Sequence, residues 1–165
     1  MSIVVSVLKE TQPQENRVAI DPEVTKKLVK NNMTVLVEKG AGASAYYSDA
    51  SYEQAGAKVV NRQTALDDGN VIAVINNPGD ETLAKLKAGQ VILGLLNSLI
   101  EPAKMTALAE KNVSALSFEL LPRTISRAQS MDVLSSQSSV AGYKAALVAS
   151  DLYPKYFPMM ITAAG

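Results

Sequence analysis

Apolar and polar positions alternate along the chain in two patterns, short apolar runs and longer amphipathic segments. The apolar runs are rich in Val, Ile, Leu and Ala, as strands are, and cover 2–8, 33–39, 57–60, 70–76, 90–96 and 113–119. The segments between them predict helices at 21–32, 48–56, 61–69, 79–89 and 101–112. Strands alternating with helices through short crossovers predict an α/β fold: a mainly parallel open sheet, Rossmann-like or flavodoxin-like, with helices on both faces.

The first predicted helix has a clear start signal. Asp21 is a predicted N-cap, and Pro22 occupies the first helical position, where its missing N–H costs nothing. We expect Val24, Leu28 and Asn31 to line the inner face of this helix. The helix should therefore begin at a defined residue and pack on the sheet through that face.

A long helix of different character is predicted from about residue 131. Its inner face carries apolar and small residues, and serines lie opposite: Leu134, Ala141, Ala145, Val148 and Leu152 against Ser136, Ser139 and Ser150. Small residues let two backbones approach closely, so we expect this helix to pack against another helix or subunit, and we expect a homodimer. Pro154 should end the helix.

The chain therefore divides into two predicted regions. Residues 1–130 form an α/β domain, and residues 131–165 form a packing helix followed by the start of a connection. Because the sequence runs to Gly165 without a polar terminal segment, we expect the chain to continue into a further half.

Composition excludes several classes of site. Sixteen basic and sixteen acidic residues cancel, so no nucleic-acid surface is predicted. Without Cys or His there is no thiol nucleophile and no His-based triad, and we expect no metal site. The start lacks the features of a secretory leader, and the longest mostly apolar run, at 91–100, is too short to cross a bilayer, so we expect no direct membrane insertion.

The glycine-rich segment at 40–45 follows a predicted strand, as a phosphate-binding loop would. Its third glycine position holds Ala45, and no helix begins immediately after it. The dinucleotide fingerprint is therefore incomplete, and a structural turn is the favoured interpretation.

The loop after the first strand, KETQPQENRVAI, carries charge where open α/β sheets bind ligands. Arg17 could hold a ligand carboxylate through two parallel hydrogen bonds. Alternatively, Glu15 and Arg17 pair with each other and tie the loop to its own fold. Lys9 and Glu10 fit either arrangement, and the residues alone leave both interpretations open.

The densest polar cluster lies at the start of the long helix, in SRAQSMDVLSSQSSVAGYKAAL. Ser126, with Gln129 three residues later, predicts a capping box, and Asp132 is favourable at the positive end of a helix. Capping leaves several polar groups unused: Arg123, Arg127, Ser130, Ser135 and Ser136. Arg and Gln side chains beside a helix N-terminus suit an amide, a carboxamide or a phosphate, so a docked ligand is the alternative to capping.

Three segments resemble the N-terminal region of the alpha subunit of proton-translocating NAD(P) transhydrogenases: KETQPQENRVAI, VEKGAGASAYYSDASYEQAGAKV and PRTISRAQSMDVLSSQSSVAGYKAAL. The first two are shared with alanine dehydrogenases, and the third is specific to transhydrogenases. The resemblance spans essentially the whole chain. It implies that the chain is the first half of the NAD(H)-binding component.

The resemblance also implies residue roles. The polar loop, from Arg123 to Ser135, would orient the dihydronicotinamide for direct hydride transfer to NADP. The cofactor would carry the chemistry, so no acid or base is needed. Gln129 and Asp132 would be catalytic, and the cofactor-binding residues would be Arg123, Arg127, Gln129, Asp132 and Ser135. The family pattern is Pro-Arg-x-x-Arg-Ala-Gln, whereas PRTISRAQ has one additional residue. Arg123 is therefore the favoured match for the family arginine, and Arg127 is the alternative.

The resemblance implies partners that this chain does not supply. NAD(H) would be bound mainly by a Rossmann half, NADP(H) by a partner component, and membrane-spanning components would couple hydride transfer to proton translocation. The chain would be cytoplasmic, peripheral to the cytoplasmic face of the inner or plasma membrane. We expect the isolated chain to be inactive and to bind NAD weakly, because it lacks a glycine fingerprint.

Two alternative functions are compatible with the same fold. An alanine dehydrogenase-like domain would use a Lys after the strand at 70–76 and a His after the strand at 90–96. The sequence there reads VINNP and LLNSL, without either residue. The second alternative is a non-catalytic α/β module that dimerises through its long helix.

Overall fold

A six-stranded sheet organises the fold. In the computed structural model, which describes residues 2–155, the strands are β1 (Val4–Val7), β2 (Thr34–Glu38), β3 (Lys58–Val60), β4 (Val71–Asn76), β5 (Val91–Leu95) and β6 (Ser114–Ser117). Every pairing recorded among these strands is parallel, in the order β3-β2-β1-β4-β5-β6. The predicted α/β class with a parallel open sheet is confirmed.

The helices of the described residues are α1 (Pro22–Lys30), α2 (Asp49–Gln54), α3 (Arg62–Asp68), α4 (Asp80–Lys85), α5 (Pro102–Glu110), α6 (Ser126–Gln129) and α7 (Val133–Leu152). The predicted N-cap of α1 is confirmed, because the Asp21 carboxylate accepts the Val24 N–H at 2.7 Å. Helix α4 is shorter than predicted. Leu86 already has an extended backbone, with ψ of 145°.

Two apolar clusters show that helices cover both faces of the sheet. Successive strand residues point to opposite faces, so Val7 and Leu8 belong to different clusters. One cluster joins strand residues to the side of α1 and α2, with Val7, Val35, Val37, Tyr52 and Ala57. The other joins strand residues to α3, α4 and α5, with Leu8, Leu66, Ile72, Leu83, Ile92 and Leu108. The strand ends are thereby left to the connecting loops.

The inner face of α1 differs from the prediction. Thr25 is fully buried and Leu28 half-buried, whereas Val24 is 40% exposed and Asn31 is exposed at the C-cap. The buried face is therefore rotated by about one residue, which is about 100° on a helix. Thr25 tolerates burial because its hydroxyl donates to the Asp21 carbonyl at 2.8 Å.

The loop after β1 is tied to the end of β4 by two carboxylates. Glu10 accepts the backbone N–H groups of Ile75 at 2.7 Å and Asn76 at 3.2 Å. Glu15 forms an ion pair with Arg17 and also accepts the Asn76 side-chain amide at 2.7 Å. The bonds to Glu10 satisfy the backbone donors of the last two residues of β4, so the loop is anchored where the strand ends.

The pKa values of the two carboxyl groups are shifted in opposite directions. Burial raises the pKa of Glu10 above its ordinary value, and its backbone hydrogen bonds only partly offset this effect. The hydrogen bond from Arg17 lowers the pKa of Glu15 to about 2. The same pairing raises the pKa of Arg17. Glu15 is therefore ionised at neutral pH and locked to the guanidinium.

The chain divides into two compact units at Leu121 and Pro122. In the second unit the predicted long helix is confirmed as α7, and it ends before Pro154. The predicted connection toward Gly165 includes 156–165, which lies outside the described residues. No helix within 2–155, α7 included, has the length and apolarity needed to cross a membrane.

Replacing Gly94 by Ala tests the close contact of β4 and β5. A Cβ at Gly94 would lie 2.6 Å from the Val74 carbonyl oxygen and 2.8 Å from its Cγ2. We expect a loss of about 2 kcal/mol in the free energy of unfolding, measured by urea denaturation. The matched control is Gly142→Ala in α7, where no described atom apart from the adjacent residues and the nearby backbone of the same helix lies within 4 Å of the new Cβ. This change should stabilise the helix by about 0.5–1 kcal/mol. Equal effects of both changes would contradict the described strand contact.

The pair Glu15–Arg17 predicts a pH-dependent stability difference. The folded pKa of Glu15, about 2, lies below the ordinary value of 4.5, so its contribution is complete above about pH 4.5 and is lost as pH falls toward 2. Since Arg17 is 42% exposed, we expect Glu15→Gln to cost only about 1 kcal/mol at pH 7.

Urea midpoints of the wild type and Glu15→Gln should converge as the pH is lowered from about 5 to about 3. Glu53→Gln serves as the control, because the Glu53 side chain is exposed and outside the ion pairs recorded for the described residues. A Glu15→Gln difference that is independent of pH would show that the ion pair does not contribute.

Candidate functional site

The first unit has a crevice where the strand order reverses. Connections from β1 and β4 run to opposite sides of the sheet, so the loops that follow them diverge at the carboxyl edge. Thr11 and Gln12 line the crevice from one loop, Asn77 and Gly79 from the other, and Asn97 from the loop after β5. Its volume is about 390 Å³, within the range of small-molecule sites.

Amide side chains hold the walls of this crevice together. Asn77 is 6% exposed, and its side-chain nitrogen donates to the Leu96 carbonyl at 3.3 Å and to Glu101 at 3.2 Å. Its side-chain oxygen accepts the Gly79 N–H at 3.1 Å. Gln12 donates to the Asn77 carbonyl at 3.3 Å. Asn77 thus connects the three loops, the loop after β5 through its side chain and the loop after β1 through its backbone carbonyl.

The charged side chains beside the crevice are paired. Lys104 contacts Glu101 at 2.8 Å and Asp80 at 3.2 Å, and the first of these carboxylates also accepts from Asn77. Of the two open interpretations of the loop after β1, the structure supports the structural one, because Arg17 is engaged by Glu15. Lys9 contributes its backbone N–H to Glu38 at 2.8 Å.

A second polar cluster at the same edge was not predicted from the sequence. Arg62 pairs with Glu38 at 2.8 Å and donates to the Thr82 hydroxyl at 3.0 Å and to the Lys9 carbonyl at 3.1 Å. The sequence did contain a signal for this ion pair. Glu38 ends β2 and Arg62 follows β3, and the carboxyl ends of neighbouring parallel strands lie side by side. The cluster joins the loops after β1, β2 and β3.

The glycine-rich segment at 40–45 has the geometry of a turn. Gly40 has a φ of 73°, a short 3-10 helix follows at Ala43–Ala45, and the Gly40 N–H donates to Asp49 at 2.8 Å. Gly42 packs against an aromatic ring, since a Cβ there would lie 2.7 Å from Tyr52. Both glycines are explained by backbone and packing requirements, in agreement with the structural interpretation.

The polar loop of the second unit contains a short helix whose cap was predicted incorrectly. The N-cap of α6 is Ile125, which makes no side-chain cap, and Ser126 is already the first helical residue. The capping box of Ser126 and Gln129 is therefore wrong. Instead, the Gln129 amide nitrogen donates to the carbonyl oxygen of Arg123 at 3.5 Å, which brings the two ends of the loop together.

Asp132 is the N-cap of α7, and both its carboxylate oxygens contact one residue. One oxygen accepts the Ser135 backbone N–H at 3.0 Å, and the other accepts the Ser135 hydroxyl at 2.6 Å. These bonds lower the pKa of Asp132, and the nearby charge of Arg123 adds to the effect. A fixed anion therefore stands at the positive end of a 20-residue helix.

The predicted site residues share one short segment, and most of them are exposed. Arg123, Arg127, Gln129 and Ser135 are exposed and Asp132 is half-exposed. Arg123, Gln129, Asp132 and Ser135 are linked by the contacts given above. Arg127 lies on α6, where its carbonyl accepts the Ser130 hydroxyl at 2.9 Å. The arrangement offers a fixed carboxylate, guanidinium groups and an amide to the surroundings.

Comparison with known proteins places the chain in a family. The family model "Alanine dehydrogenase/PNT, N-terminal domain" matches residues 6–141. An alpha-subunit protein of the NAD(P) transhydrogenase from Rhodospirillum rubrum is 41% identical over 98% of this chain and 43% of its own length. The crystal structure of transhydrogenase from Sinorhizobium meliloti is 38% identical with a TM-score of 0.88, covering 98% of this chain and 46% of that one.

Alanine dehydrogenases are more distant. The enzyme from Bacillus subtilis is 31% identical over 93% of this chain and 39% of its own length. The chain thus spans less than half the length of these relatives. On these matches, the chain belongs to the alanine dehydrogenase/PNT N-terminal domain family and corresponds to the N-terminal domain of a transhydrogenase alpha subunit.

Proposed function

We propose that this chain forms the portion of a proton-translocating NAD(P) transhydrogenase that orients the nicotinamide of NAD(H) for hydride transfer to NADP. The observation that carries the proposal is the Asp132 carboxylate, held by Ser135 at the N-terminus of α7. The family matches agree with this proposal, because a relative of the chain is a subunit of an NAD(P) transhydrogenase. The cofactor supplies the hydride chemistry, and the residues of this chain supply position and charge.

A fixed carboxylate has a direct use in this reaction. A reduced nicotinamide ring is neutral, and it becomes positively charged when it gives up a hydride. An anion that is already in place stabilises the positive charge as it develops, without reorganisation during the reaction. Asp132 is ionised at neutral pH, and the hydrogen bonds from Ser135 lower its pKa further and so favour the charged form.

The other residues of the loop match the polar substituent of the ring. A carboxamide has an N–H₂ donor and a carbonyl acceptor, and the Gln129 side chain offers the complementary pair. Arg123 supplies N–H donors close to the same carboxylate. We propose Arg123 as the ring-contacting arginine, because its charge acts on Asp132, and retain Arg127 as the alternative.

The rest of the cycle is assigned to other components of the assembly. NAD(H) would be held mainly by a Rossmann half, and NADP(H) by a partner component. Membrane-spanning components would couple the reaction to protons at the cytoplasmic face of the membrane. We further propose that residues 1–130 act as the α/β domain, that residues 131–165 comprise the packing helix α7 and the start of a connection, and that the subunit is a homodimer.

A non-catalytic interaction module is the second candidate, and one observation favours it. Every described residue of α7 from Ser135 onward is exposed, including Val140 at 60% and Tyr143 at 71%. Such a face is suited to packing against another surface. The alanine dehydrogenase alternative lacks comparable support, since the segments that close β4 and β5, VINNP and LLNSL, contain neither the Lys nor the His that this chemistry needs.

Substitutions in the loop distinguish hydride transfer from assembly. In the transhydrogenase alpha subunit that carries this chain, combined with its partner components, we expect Asp132→Asn and Arg123→Ala each to lower the hydride-transfer rate at least about tenfold. Asp132→Asn keeps an acceptor for Ser135, so α7 should remain capped. Lys144→Ala, an exposed change on α7, is the matched control and should leave the rate unchanged.

Assembly is measured on the same samples by light scattering. Intact assembly with reduced turnover supports the proposal. Normal turnover in both loop variants would contradict it and favour the interaction module. If Arg127→Ala lowers the rate while Arg123→Ala does not, the ring-contacting arginine is Arg127.

A further inference from the structure

We draw no further inference here: the strongest candidate, the apolar surface that β5 and the edge strand β6 present on the side of α1 and α2, with Leu93 half-buried and Leu116 58% exposed, is an unpartnered sheet face, and nothing among residues 2–155 shows what covers it.

Discussion

The contact between Asp132 and Ser135 is the constraint on which the functional account depends. A carboxylate at the first turn of a helix gains from the helix dipole, and this one also accepts two hydrogen bonds from a single residue. The same contact starts α7 and fixes the orientation of the charge. Because the cap itself holds the carboxylate, Asp132 can remain half-exposed, as its proposed role beside a nicotinamide requires.

The first unit uses carboxylates in a different way. Glu10, Glu15 and Glu38 satisfy backbone N–H groups or arginines at the ends of the parallel strands, where the ladder leaves donors without partners. Their effect is to hold the loops at the carboxyl edge. The crevice between those loops is therefore a consequence of the strand order combined with rigid loop anchors.

Sequence patterns were sufficient for the strand and helix order because each element combines local propensity with burial. Asp21, Pro22 and Pro154 mark helix ends through effects within a few residues, and these predictions agree with the structure. The inner face of α1 was predicted incorrectly because Thr25 is a polar residue and was expected on the outside. Its hydroxyl donates to the Asp21 carbonyl at the start of the same helix, so Thr25 can be buried. The capping box at Ser126 failed because α6 begins at that serine, one residue earlier than a capping serine requires.

Long-range contacts explain what the residues alone could not decide. The partner of Arg17 was ambiguous until Glu15 was found on its guanidinium, and the bond from Arg62 to Glu38 depends on strand register. The assignments of Arg123, Gln129, Asp132 and Ser135 to cofactor binding come from a family resemblance and stay predictions. The structure adds the contacts among them.

The most direct test of the central claim is a ¹³C NMR titration of the Asp132 side-chain carboxyl in this chain and in Ser135→Ala. The account predicts a pKa below the ordinary value of 3.8 in the wild type and a rise toward that value when the serine hydroxyl is removed. Titration at the ordinary value in both proteins would contradict the claim that Ser135 holds Asp132 as a fixed anion.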